Sequence, residues 1–323
     1  MPIQRTVAVA ICLAILAGGA AQAPAQSYPT RPIRLIIPFA PGGAPDFMAR
    51  PVAAQVEAQI GQSVVVENRA GANGILGMQA VATAEPDGYT LLHAVPAFVI
   101  NPSVYKKLPF DIFKDFTPIA PLGIGTGYLL VVKPQLPVHS VRELIDYAKS
   151  HRVLYGSPGI GNTLHLAAEL FNAAAGIKME HVPFRGAAPV HTAMLAGTID
   201  ATLAANAALI EQVRAGKMRA IGFTGSAPSR DLPDVPLIRD TLPNFKIEGS
   251  WHGWLAPGNT APAIVQRINA EVRSALKVPK VRDAVTQAGY DPIDMSPAEF
   301  AVFLREETER YAQAVRAAGI EPQ

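Results

Sequence analysis

From residue 33 onward, short apolar runs alternate with stretches in which apolar residues recur every three or four positions. The runs at 33–39, 64–67 and 89–95 read as strands, and the stretches at 47–60 and 75–84 read as helices. In the first of these helices Met48, Val52, Val56 and Ile60 fall on one stripe, which predicts a buried face. A second set of the same kind follows the glycine-rich residues 123–127. It predicts strands at 128–132, 153–155, 179–183, 199–204 and 218–224, with helices at 141–150, 164–175, 189–196 and 207–215. After the proline-rich residues 228–243 come one more strand, 250–255, and three helices at 261–276, 281–288 and 297–318. Such alternation implies parallel strands joined by crossover helices. The last helices need a sheet to cover, and the economical solution returns the chain to the first set. The expected organisation is α/β with two lobes: residues 26–124 with 252–323 in one, and 125–251 in the other. The chain would cross between them twice, at glycines able to absorb hinge rotations.

In open α/β sheets, ligands bind outside the carboxyl ends of strands, so the strand-to-helix corners are the segments to inspect. Two corners share one design, Pro38-Phe39-Ala40-Pro41-Gly42-Gly43 and Tyr155-Gly156-Ser157-Pro158-Gly159-Ile160-Gly161-Asn162-Thr163. Each follows an apolar run and opens a helix, so each can aim bare backbone N–H groups at a small anion. In the first corner Gly42 and Gly43 let backbone approach a ligand, and Asp46 is either a ligand contact or a helix cap. In the second, Ser157, Gly161, Asn162, Thr163 and His165 offer hydroxyl, amide, backbone and imidazole partners, with capping by Asn162 or Thr163 as the plainer role. A third corner supplies Phe184 and Arg185, whose guanidinium suits a carboxylate unless it is an ordinary surface arginine. A fourth supplies Asn206. Two such corners closing on one ligand is a binder's pattern before it is an enzyme's.

The chain begins with Arg5, an apolar stretch from Val7 to Ala21 and the small residues Ala23-Pro24-Ala25. This reads as an export leader, residues 1–25, cleaved near Ala25, and the stretch is short of the roughly 20 residues a membrane span needs. The expected location is therefore the periplasm. The single cysteine, Cys12, lies inside that leader and lacks the small preceding residue of a lipid-attachment signal. A mature chain without cysteine must be held by its core alone, which roughly 300 residues supply by burying about three quarters of their unfolded surface.

Charge narrows the partners. Twenty-eight Lys and Arg against 26 Asp and Glu give a net charge of +2, one less without Arg5, and no block of like charge occurs. Nucleic acid and anionic membrane surfaces, which need basic patches, are not expected partners. Catalytic motifs are thin. Gly156-Ser157 and Gly225-Ser226 lack the spacing of a nucleophile elbow. The seven histidines form no His-Glu-x-x-His pair, and Gly71-Ala72-Asn73-Gly74 opens neither a dinucleotide fingerprint nor a phosphate loop. No metal, cofactor or catalytic residue is expected.

In order along the chain stand Tyr28-Pro29-Thr30-Arg31-Pro32-Ile33-Arg34, Pro41-Gly42-Gly43 with Asp46 and Ala49-Arg50, Val66-Glu67-Asn68-Arg69 and Asp87-Gly88-Tyr89-Thr90. They are followed by Tyr155-Gly156-Ser157, His165-Leu166, Val182-Pro183, Leu232-Pro233-Asp234-Val235-Pro236, and Trp251 with Leu255-Ala256-Pro257. Through these residues the chain bears a resemblance to the extracytoplasmic solute receptors of tripartite tricarboxylate transporters, the Bug proteins. The resemblance implies a two-lobed type II periplasmic-binding fold of Venus-flytrap form, with a mixed sheet flanked by helices in each lobe. It also implies a monomer that binds a small carboxylate, through loops matching Pro41 to Asp46 and Ser157 to Thr163, for delivery to separate membrane transporter subunits. Two departures are visible. Ala44-Pro45 stands where the family usually has a hydroxyl before Asp46, and Phe184-Arg185 stands where it usually has Tyr-Lys. Both point to a ligand other than citrate, such as an aromatic carboxylate, with Phe98, Phe184 and Trp251 as candidate ring contacts. A sensory adaptor presenting the loaded receptor to a membrane sensor, and a hydrolase using Ser157, are the alternatives.

Overall fold

The computed structural model describes residues 28–322 apart from 246 and 248, and apart from the side chains of residues 206–208. The expected leader and its cleavage point lie outside the described residues. Residues from Arg31 onward fold as one unit, and of the unit before it only residues 28–30 are described.

The first sheet contains β1 (Ile33–Ile37), β2 (Val64–Asn68), β3 (Thr90–Ala94), β4 (Phe116–Gly125), β10 (Trp251–Pro257) and β11 (Tyr290–Pro292), ordered β11-β4-β10-β3-β1-β2. Strand β1 runs parallel to β2 and β3, while β10 runs antiparallel between β3 and β4. Leu35, Ile36 and Ile37 are fully buried, which is why β1 reads as a continuous apolar run rather than an alternation. Helices α1 (Ala44–Ile60), α2 (Ile75–Ala82), α3 (Ala97–Val104), α9 (Pro262–Lys277), α10 (Pro279–Gln287) and α11 (Pro297–Ala317) flank this sheet. The stripe on α1 buries Met48, Val52 and Val56 and leaves Ile60 half-buried. Its far side meets α9 and α10, and α11 packs on α3 and β4.

The second sheet is built from β5 (Tyr128–Val132), β6 (Leu154–Ser157), β7 (Glu180–Pro183), β8 (Ala201–Ala205) and β9 (Arg219–Phe223), ordered β7-β6-β8-β5-β9. It carries α4 (Val141–Ala148), α5 (Thr163–Ala175), α6 (Ala187–Leu195), α7 (Asn206–Arg214) and the short α8 (Ile238–Thr241). Both sheets are mixed, as the resemblance implied, with antiparallel strands beside the parallel pairs that the alternation predicted. The reason is connectivity. Strand β5 enters straight from β4 across Thr126 and Gly127, and β10 arrives from α8 with no crossover helix of its own sheet, so each runs antiparallel to its neighbours.

The chain leaves the first sheet after Gly125 and rejoins it at Trp251. These two passages touch: the Gly125 N–H donates to the Ser250 carbonyl at 2.6 Å. A Cβ on Gly249 would fall 1.9 Å from the Gly125 oxygen, so this close approach of two backbones admits only glycine.

Candidate ligand cleft

Four helices begin around one cleft between the sheets. Its lining includes Gly43 and Ala44 at the start of α1, Asn162, Thr163 and Leu164 at the start of α5, Gly186 and Ala187 at the start of α6, and Ala205 just before α7. The empty space amounts to about 770 Å³, part of it open to solvent. Each helix leaves its first N–H groups without an intrahelical partner and carries roughly half a positive charge at that end. Only α5 has a side-chain cap, with Asn162 Oδ1 accepting the Leu164 N–H at 3.0 Å. Helices α1, α6 and α7 start at Gly43, Gly186 and Ala205, which have no side-chain acceptor to offer. Pro45 and Pro189 remove one donor each from α1 and α6. Among the described residues no Lys, Arg, Asp or Glu side chain lines the cleft, so its positive potential comes from backbone alone.

The segments around Gly43 and Ser157 therefore meet at one hollow, though not every residue singled out from the sequence faces it. Gly43, Asn162 and Thr163 line it. Gly42 and Asp46 instead border a neighbouring surface groove. The Asp46 carboxylate is buried and occupied: Gly42 N–H donates to it at 3.0 Å, Arg50 Nε at 2.8 Å and Asn68 Nδ2 at 3.3 Å. Asn68 also donates to the Phe39 carbonyl at 3.0 Å. Asp46 thus clamps the first corner.

Ser157 and His165 do the same for the second corner. Ser157 is fully buried, its Oγ 2.6 Å from His181 Nε2 and hydrogen-bonded to the Gly159 backbone. His165 Nδ1 accepts the Gly161 N–H at 3.2 Å, which places its own proton on Nε2, and its ring stacks on His181 at 4.1 Å. Tyr155 stacks on the other side of His181 at 4.9 Å and donates to Glu169. Burial, with His165 alongside, pushes His181 down to about 3, and burial also lowers His165, so this stack is neutral. The Ser157–His181 contact looks like a nucleophile and its base. A histidine held that low is a poor base at neutral pH, and Ser157 is shut away from the cleft, so the pair supports the loop instead. Gly161 has φ +72°, and a Cβ there would meet Val104 of α3 at 2.6 Å, marking where the two lobes come together.

The third corner backs onto the second through Phe184 N–H to the Ser157 carbonyl, 2.9 Å, and Gly186 N–H to the Pro158 carbonyl, 3.1 Å. Phe184 is half-buried and packs against the core of the second lobe. Arg185 is exposed, is not among the cleft residues, and forms no ion pair with a described residue. Asn206 opens α7, and its side chain lies outside the described residues. Phe98 and Trp251 are core residues, edge-on to Phe116 and to Phe300 and Phe303. The aromatic ring that does reach the cleft from a corner is Phe39.

The floor and one wall come from residues that corner-by-corner inspection misses: Val95, Tyr128, His191, Ser250, His252 and Tyr290. One signal for His252 was present. It neighbours Trp251 on a strand, so when Trp251 faces α11 the alternation of side chains turns His252 to the opposite face. There its Nδ1 meets His93 Nε2 at 2.8 Å, both rings are buried, and its edge packs against Tyr290 at 4.7 Å. Burial holds His93 down to about 3. Burial, reinforced by His93, keeps His252 well below its ordinary value, so both are neutral.

This arrangement of two mixed sheets flanked by helices matches known proteins. The model of the tripartite tricarboxylate transporter family receptor matches residues 48–320. The chain belongs to that receptor family. It is 33% identical to protein BugT of Bordetella pertussis over 324 residues, covering 99% of each chain. Among solved structures, the periplasmic binding protein BugD superposes with a TM-score of 0.86 at 28% identity, covering 92% of this receptor and 100% of BugD. R. palustris Rpa4515, solved with adipate, gives a TM-score of 0.87 at 31% identity over 92% of this receptor and 100% of that chain. The fold is accordingly the two-lobed, Venus-flytrap type, and the receptor is a solute-binding protein.

Proposed function

We propose that this receptor works in the periplasm, captures a small carboxylate between its lobes and delivers it to the membrane subunits of a tripartite transporter. The observation that carries the proposal is the convergence of four helix N-termini on one cleft with no charged side chain among the described residues that line it. An anion is the only class of solute that such a site favours electrostatically. Each helix start contributes about 0.3–1 kcal/mol, up to about 2 when partly buried. Hydrogen bonds to a charged group add about 1.5–3 kcal/mol each. A few of these reach the roughly −8 kcal/mol of micromolar binding after ordering costs. The adipate in Rpa4515 supports a carboxylate over other anions.

The same reading gives the moving parts. One lobe comprises residues 26–124 and 252–323, the other 125–251, and rotation occurs where Gly125 and Gly249 cross. Ligand release requires the contacts at Gly161 and at Gly186, where a Cβ would lie 3.6 Å from Ala40, to open. Gly43, Asn162 and Thr163 hold the carboxylate from both lobes, which couples binding to closure. The ordered clamps at Asp46 and Ser157 keep the two corners in the shape that points their N–H groups inward.

Isothermal calorimetry and thermal melting of the leader-free protein against mono-, di- and tricarboxylates, amino acids, sugars and phosphate esters test this. At least one carboxylate should bind at about micromolar Kd and raise Tm, since saturation near 100 times Kd stabilises by about 2.7 kcal/mol. Stabilisation by a neutral sugar or a cation, with none from any carboxylate, would overturn the proposal. Loss of uptake of that carboxylate in a deletion strain separates a transport receptor from a sensory one.

A further inference from the structure

Two side chains in the cleft lining have a buried polar atom that makes no well-formed hydrogen bond with a described residue. His252 on β10 is 1% exposed and Tyr128 on β5 is 3% exposed, and both line the cleft. Among the described residues His252 Nδ1 is taken up by His93 while its Nε2 has no hydrogen-bond partner, and the Tyr128 hydroxyl has the Ser250 hydroxyl beside it without a well-formed bond. Leaving such a group buried and unpaired costs about 1–3 kcal/mol, so a solute that pairs with it gains that much in discrimination. The two groups come from different sheets, so one solute group bonding both also ties the lobes together.

We infer that the floor is a second subsite, uncharged and hydrogen-bonding, that selects a carboxylate whose far end is a hydroxyl or carbonyl over a dicarboxylate of the same length. The inference rests on the carboxylate being held at the helix starts, and it assigns the other end of the molecule. The charge balance of the floor carries the choice. The groups facing His252 are His93, Tyr290 and the cleft itself, and no cation stands among them. Behind Tyr128 the guanidinium of Arg310 is neutralised by a two-pronged pair with Glu307 at 2.6 and 2.8 Å. A second carboxylate on this floor would be desolvated with no opposite charge, a penalty of several kcal/mol unless it took up a proton.

The proton between the two imidazoles fits the same chemistry. If His93 Nε2 carries it, His252 Nε2 is a donor to the cleft. If His252 Nδ1 carries it, Nε2 is an acceptor, and the complementary change falls on His93 Nδ1, which is also without a partner. The Tyr128 hydroxyl both donates and accepts. A hydroxyl is matched in either state, whereas a carbonyl or a carboxylate accepts only and meets His252 only when its Nε2 donates.

Matched sets test this by calorimetry on the leader-free protein at neutral pH: gamma-hydroxybutyrate, succinate and butyrate; omega-hydroxyhexanoate, adipate and hexanoate; para-hydroxybenzoate, terephthalate and benzoate. In at least one set the hydroxy acid should bind about tenfold or more tighter than both its dicarboxylate and its unsubstituted acid. Tyr128→Phe, which removes only the hydroxyl, and His252→Phe should each shrink the ratio of hydroxy to unsubstituted acid to below about twofold, in protein whose circular dichroism matches the parent. Tighter binding of the dicarboxylate throughout, or a ratio unchanged in Tyr128→Phe, would overturn the second subsite while leaving the carboxylate site standing. No binding by any of the nine acids would overturn the second subsite, while the wider carboxylate panel decides the carboxylate site.

Discussion

Replacing Ala187 by aspartate should weaken carboxylate binding by roughly thirtyfold to a thousandfold while leaving the protein as stable as the parent or slightly more so. Ala187 is the first residue of α6 and lines the cleft. An aspartate there sits on a helix N-terminus, where a carboxylate is favourable by about 0.3–1 kcal/mol, so the fold gains. The incoming ligand then meets a charge of its own sign. At 4 Å with an effective dielectric of 20 two such charges repel by about 4 kcal/mol, and by about half that at twice the distance. At about 1.4 kcal/mol per tenfold, the loss is between roughly thirtyfold and a thousandfold. Ala187→Asn, similar in shape but uncharged, separates repulsion from crowding and should lose far less. Calorimetry reads the binding and thermal melting the stability. Retained affinity in Ala187→Asp would mean the anion does not sit at the helix starts.

Acid should unfold the receptor steeply. His93 and His252 are fully buried, paired through one shared proton and held neutral, His93 down to about 3 and His252 well below its ordinary value. Unfolded histidine has a pKa near 6.5. Above that value neither state binds the proton and stability is unaffected. As pH falls through it the unfolded chain takes up protons that the native pair refuses, and the loss continues until the native rings themselves titrate, His93 near pH 3. Each ring lowers stability by about 1.4 kcal/mol per pH unit in that window, so the pair removes about 5 kcal/mol over two units, a large part of an ordinary domain's margin. His165 and His181, neutral in their stack with Tyr155, push in the same direction. Urea unfolding from pH 7.5 down to 4.5 checks this, and a His93→Leu/His252→Phe double variant should show a distinctly flatter pH dependence. A parent protein equally stable at both ends would show that the buried rings are not held neutral.

Much of the framework was visible in the chain. The apolar runs locate β1, β3, β5 and β8, and the helix starts at Ala44, Thr163, Ala187 and Asn206 fall within three residues of the positions expected from periodicity. Strand β4 was not visible, because Pro118 and Pro121 argue against a central strand. The structure accommodates them by leaving one side free there: β11 covers β4 only at residues 123–125, and the β10 register shifts nearby. Helix α3 was hidden for the opposite reason. Its residues 97–101 are all buried, so no polar face gives it a period.

The cleft was half legible. Backbone donors at a strand-to-helix corner are a local property, and Gly43, Asn162 and Thr163 follow from it. The polar residues beside them did not sort so easily. Asp46, Ser157 and His165 satisfy the N–H groups of their own loops, a demand that a sequence does not distinguish from binding a solute. Tyr128, Ser250, His252 and Tyr290 come from segments far apart in the chain and meet only once both crossings are made. Position along a strand fixes which face they share, but tertiary assembly decides that the face is the floor of the cleft.

A crystal structure of the protein with its tightest-binding carboxylate tests the central claim most directly. One carboxylate group should lie within hydrogen-bond distance of backbone N–H groups at the starts of α1, α5 and α6, with no arginine or lysine side chain contacting it. A carboxylate bound instead by Arg185, or in the groove beside Asp46 and Arg50, would contradict it.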